Sequence, residues 1–114
     1  MTKITTIEQI TELQKGYKVT AAQDNINSGQ CWLMEGSQGR FAMDMLKSGV
    51  CVLPDTPHRD YYGSMVPART QVKEGSTGSL QLACEFWQKV EDGDFEIIDS
   101  LEETFGRDEE SEVA

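Results

Sequence analysis

Leu80-Gln81-Leu82-Ala83-Cys84-Glu85-Phe86-Trp87-Gln88-Lys89-Val90 decides how this chain is expected to fold, because it supports two periods at once. With period two, Leu80, Leu82, Cys84 and Phe86 alternate with Gln81, Ala83, Glu85 and Trp87, as in a half-buried strand. With period 3.6, Leu80, Ala83, Cys84, Trp87 and Val90 share one helical face. The setting tips the reading toward a strand. Glu74-Gly75-Ser76-Thr77-Gly78 makes a good hairpin loop, and residues 69–73 on its far side form the other arm.

The same reading extends upstream. Tyr17-Lys18-Val19-Thr20-Ala21 alternates like a strand, and the polar run 23–29 turns the chain. Cys31-Trp32-Leu33-Met34 is a second strand candidate, followed by a loop at Gly36-Ser37-Gln38-Gly39. Residues 40–46 form a third, with Phe41, Met43 and Met45 on one face. Lys47-Ser48-Gly49 turns into Val50-Cys51-Val52-Leu53, and Pro54 stops that strand.

Helices are expected at the two ends. Thr5 with Glu8, and Thr6 with Gln9, each fit a capping box in which two side chains satisfy orphan N–H groups reciprocally. Ile7, Ile10 and Leu13 or Gln14 follow at helical spacing, and Gly16 suits the left-handed position after a helix, so 6–15 reads as helix. Near the other end, 95–98 is short and β-prone. Asp99 or Ser100, with Glu103 behind, caps a last helical turn or two through Phe105. The expected fold is a single α+β domain over 1–106, mostly antiparallel sheet in a meander and hairpins. An N-terminal helix and a short C-terminal helix flank the sheet, and 107–114 is a flexible acidic tail.

Charge is the most uneven property of the chain. Residues 1–80 hold eight acids and eight bases, whereas 81–114 hold twelve acids against only Lys89 and Arg107. The formal net charge of −10 therefore sits wholly in the last third. Such asymmetry points to a charged surface or tail rather than to a catalytic centre; the plain reading is a solubilising tail, and the functional one a docking surface for something basic. The candidate partner-binding residues are Asp92, Asp94, Glu96, Asp99, Glu102 and Glu103. If 94–105 is one helix, Phe95, Ile98, Leu101 and Phe105 lie broadly on one face. Asp92, Glu96, Asp99 and Glu103 then approximate a stripe on another, about 6 Å apart at the helical rise. That is near the separation of successive phosphates, so a folded acidic face can compete for a basic cleft. A flexible acidic tail would only speed encounter.

Other classes are less well supported. The longest strictly apolar run is Val50-Cys51-Val52-Leu53, far below the roughly 20 residues of a spanning helix. The N-terminus has no apolar signal-peptide core, so a cytoplasmic location is expected. Cys31, Cys51 and Cys84 are odd in number and widely spaced, which suits reduced, unmetallated thiols. No phosphate loop, dinucleotide fingerprint or nucleophile elbow occurs. Bases are dispersed rather than gathered in a stripe, which disfavours direct nucleic-acid binding.

One stretch stands apart, Pro54-Asp55-Thr56-Pro57-His58-Arg59-Asp60-Tyr61-Tyr62-Gly63-Ser64-Met65-Val66-Pro67. It holds every proline and the sole histidine. Loops of this length in small domains are often functional. Asp55, His58, Asp60, Tyr61 and Tyr62 make it a secondary candidate site, since a carboxylate beside an imidazole can orient a general base. Their spacing matches no catalytic or metal motif, so a surface cluster is the plainer reading.

In size and charge the chain is similar to small acidic accessory proteins of phages and mobile elements, among them DNA mimics and immunity proteins that block basic nucleases. That likeness carries over no residue. The expected function is a non-catalytic protein-interaction module, an inhibitor or nucleic-acid mimic. It would use its acidic C-terminal third on a basic protein, such as a nucleic-acid-binding protein or nuclease, without cofactor or metal. Two alternatives stay open. One is a structural or assembly accessory protein with a solubilising tail. The other is a small enzyme or ligand-binding domain using the 54–67 loop.

Overall fold

Val50-Cys51-Val52-Leu53 is extended, as its residues suggest, yet it belongs to no sheet. In the computed structural model, which describes residues 3–33 and 37–106, this run crosses the core between helices. Its backbone groups pair mainly with side chains. Val50 O accepts from Gln14 Nε2 at 2.9 Å and from Trp87 Nε1 at 3.1 Å. The Val52 N–H donates to Gln23 Oε1 at 3.0 Å, and Val52 O accepts from Gln23 Nε2 at 2.8 Å. Leu53 N donates to Gly78 O, and Leu53 O accepts from Arg69 Nη1. Gln23 thus presents the donor and acceptor that a neighbouring strand would supply. An unpaired buried peptide group costs about 1–3 kcal/mol, so these side chains stand in for a ladder.

Six α-helices surround that run among the described residues: α1 Ile7–Gly16, α2 Thr20–Ser28, α3 Gln30–Leu33, α4 Ser37–Ser48, α5 Leu80–Glu91 and α6 Phe95–Thr104. The expected mostly antiparallel sheet is therefore wrong. Strand pairing among the described residues is confined to β1 His58–Arg59 and β2 Met65–Val66, antiparallel with His58 opposite Val66 and Arg59 opposite Met65. This tiny ribbon lies inside the stretch that had been read as loop.

Each misread strand has a physical cause. In 40–46 the alternating Phe41 and Met43 are exposed, while Ala42 and Leu46, four apart, are buried. In 80–90 the buried positions are Ala83, Trp87 and Val90, so the 3.6 period wins. The supposed hairpin loop before it delivers Ser79, whose Oγ accepts from Leu82 N at 3.1 Å and caps α5. Residues 69–73 contain only the 3-10 turn Arg69–Gln71. At 17–21 the chain turns at Tyr17 and Lys18 and begins α2 at Thr20, and 31–33 lies in α3. The run 95–98 is the first turn of α6, capped by Asp94 rather than by Asp99 or Ser100. Met34 and the expected tail 107–114 lie outside the described residues.

The N-terminal helix follows its sequence signal. Gln9 N donates to Thr6 Oγ1, and Thr6 N donates to Gln9 Oε1, a reciprocal capping box. α1 packs on α5 and α2, and α5 in turn packs on α4 and α6. Trp87 is fully buried at the centre, between Tyr17 at 6.1 Å and Phe86 at 5.2 Å. Gly49 allows α4 to end against α5. Its φ is +97°, and a Cβ there would lie 2.9 Å from the Leu82 carbonyl oxygen. Among the described residues no helix is long and apolar enough to cross a membrane.

The cysteines follow from this core. Cys31, Cys51 and Cys84 are free. Burial pushes the Cys51 thiol up to about 12, helped by the neighbouring Cys31 charge, and pushes Cys31 up to about 11. Burial, and then Glu85, also raises Cys84, which is only half-buried. Cys84 is expected to label first with a thiol reagent in the folded protein, and Cys51 last, with all three released on denaturation. Labelling of Cys51 as fast as a free thiol would contradict the packing. The unfolded Cys51 ionises near 9.0 and the folded one near 12, so its stabilising contribution is complete below pH 9 and is lost as pH rises toward 12.

Candidate functional site

Among the described residues, the acidic third is divided between structural roles and open surface. α5 is C-capped by Asp92, whose Oδ1 accepts from Gln88 Nε2 at 3.2 Å. Gly93 then takes φ +90°, and Asp94 caps α6 by accepting from Ile97 N at 3.3 Å. Two of the six expected contact residues are thus engaged at helix ends. Asp92 lies outside α6, so the expected four-residue stripe shortens to Glu96, Asp99 and Glu103, all exposed. Glu102 is half-buried.

Leu101 is buried, with Ile97, Ile98 and Phe105 packed beside it, and Phe105 meets Phe41 edge-on at 5.9 Å. These contacts hold α6 on the body. Phe95 departs from expectation. It does not pack with Leu101 but stands 80% exposed at the start of the helix. No basic residue occupies the last turn of α6, where Glu103 sits. The partial negative charge of a helix C-terminus disfavours an acid there by about 0.3–1 kcal/mol.

The 54–67 candidates do not converge on one chemical centre. His58 Nε2 donates to Asn27 O at 3.0 Å. The ring lies over Gly29, where an added Cβ would come within 2.7 Å of Nδ1. Asp60 Oδ1 accepts from the N–H groups of Tyr62 and Ser64, both at 2.9 Å, and so shapes the turn between β1 and β2. Tyr61 N donates to Trp32 O, which seats this ribbon on α3. The two tyrosine rings meet edge-on at 5.1 Å and are exposed. Asp55 bonds neither His58 nor any other described residue. Among the described residues no group of three His, Cys, Asp or Glu side chains could hold a metal ion.

Two concave features had no sequence signal. A groove of about 1000 Å³ runs along α5 past Leu80 and Cys84, with Ile4 and Val72 on its other walls. Lys3, Arg69 and Lys89 edge it, alongside Glu74 and Glu85. A smaller cavity of about 230 Å³ lies between α1, α2 and the Leu53–Pro54 crossing, with Asn27, Asp55 and Arg69 among its lining. Reading 80–87 as a strand hid the first, because a strand puts Gln81 and Glu85 on the face opposite Leu80 and Cys84, whereas a helix gathers all four along the groove.

Comparison with protein-family models, curated proteins and solved structures returns no significant match.

Proposed function

We propose that this protein is a non-catalytic interaction module whose α6 face engages a basic protein surface. The observation that carries this reading is an acidic helix with an exposed aromatic at its head. Glu96, Asp99 and Glu103 project from α6, while Phe95 beside them is largely uncovered. Intervals of three and four residues place the acids about 4.5–6 Å apart along the axis. A fixed backbone spares a partner the entropy of ordering them. Phe95 offers the apolar anchor around which binding energy gathers, with charged residues at its rim.

The acid at the unfavourable end of the helix supports the same reading, because Glu103 gains nothing from the helix it sits on. A basic cleft of a nucleic-acid-binding protein or nuclease is the partner class with matching charge. The test is affinity capture from the native host at low and high salt, followed by affinity measurement on the captured protein. Affinity should fall steeply with ionic strength, mainly through slower association. A flat salt dependence would remove the acidic face from the interaction.

A further inference from the structure

We propose that the cavity of about 230 Å³ beside Asp55 and Arg69 is a binding site for a small zwitterion, of the class of apolar α-amino acids. Arg69 is half-buried and wraps the Leu53–Pro54 backbone. Its Nη1 donates to Leu53 O at 3.1 Å, and its own N–H donates to Pro54 O at 2.9 Å. The guanidinium carries five N–H donors in a planar fork, and no acidic side chain pairs with it among the described residues. Asp55 lines the same cavity and has no hydrogen-bond or ion-pair partner among the described residues. A carboxylate-bearing and a guanidinium-bearing residue therefore line one space, and no ion pair joins them.

A molecule bearing both a carboxylate and an ammonium satisfies them together. Its carboxylate accepts from the free edge of Arg69, a geometry that guanidinium forks favour. Its ammonium donates to Asp55. Asn27 adds an amide whose Oδ1 already accepts from Gln23 Nε2, which leaves its NH2 as a further donor toward the ligand carboxylate. Ile7, Val52 and Pro54 supply the apolar wall, so a short aliphatic side chain suits the remaining room. No residue of α6 lines the cavity, so this site is separate from the acidic face.

The test is a titration of the 15N-labelled protein with L-alanine, with acetate and ethylamine as half-ligands. Alanine should shift the amides of Asn27, Asp55 and Arg69 saturably. Acetate and ethylamine should each bind at least about tenfold more weakly, since each leaves one charged group unmatched. Asp55→Asn should weaken alanine binding by a similar factor and should not weaken acetate binding, since it removes the charge that acetate leaves unmatched. Asp55 is exposed and bonds nothing, so circular dichroism should show this variant folded. Absence of saturable shifts with alanine, or acetate binding as well as alanine, would overturn the proposal, as would an Asp55→Asn variant that binds alanine normally.

Discussion

Replacing Gln23 by leucine is expected to destabilise the protein by about 3–5 kcal/mol, although the substitution makes the core more apolar. Leucine is close to glutamine in volume, so little cavity opens. What changes is the pairing of the central crossing. Both Val52 backbone groups lose their partner, and Gln14 Nε2 loses one of its two acceptors. Each buried peptide group left unpaired costs about 1–3 kcal/mol. The sum is a large part of the roughly 5–15 kcal/mol by which domains are stable. Urea unfolding measures it, with Gln30→Leu, at an exposed position on α3, as a control expected to lie within about 0.5 kcal/mol of wild type. A Gln23→Leu effect below about 1 kcal/mol would mean that the glutamine is not the pairing partner of the crossing.

That substitution also locates where sequence reasoning stops. The apolar run 50–53 was legible as extended and buried, but the identity of its partners was not. A strand normally pairs with a strand, and nothing in a lone Gln14 or Gln23 distinguishes a core amide from a polar helix surface. The turn-like residues 74–78 favour a strand over 80–90, and the alternation of Phe41, Met43 and Met45 favours one over 40–46. Short apolar windows fit both periods; the longer spacings Ala42 to Leu46 and Ala83 to Trp87 to Val90 decide between them. Capping signals proved more dependable where two residues act together. The Thr6 and Gln9 pair was found from sequence, whereas the single-residue caps Ser79 and Asp94 were passed over. Of the candidate site, the acidity was legible from composition, whereas the helix Phe95–Thr104 was only one of the alternatives the sequence left open. The exposure of Phe95 and the meeting of Asp55 with Arg69 depend on tertiary placement, which no local pattern records.

Neutralising the α6 face should weaken partner binding by about 2–5 kcal/mol, since close interfacial charge pairs show couplings of about 1.5–7 kcal/mol and their losses are not additive. The variant to make is Glu96→Gln with Asp99→Asn and Glu103→Gln. These three are exposed, whereas Asp92 and Asp94 serve helix ends and Glu102 is half-buried. Folding stability should barely move. Glu96 in the first turn of α6 gains from the helix dipole, while Glu103 near the other end loses by a comparable amount of about 0.3–1 kcal/mol. A variant as stable as wild type that no longer binds separates a recognition role from a structural one. Phe95→Ala supplies the second arm, because burial of so exposed a ring can occur only in a complex. It should leave unfolding nearly unchanged and speed dissociation, whereas loss of the charges should chiefly slow association. If the triple variant and Phe95→Ala both bind an identified partner like wild type at low salt, α6 is not the contact surface, and its charge serves solubility alone.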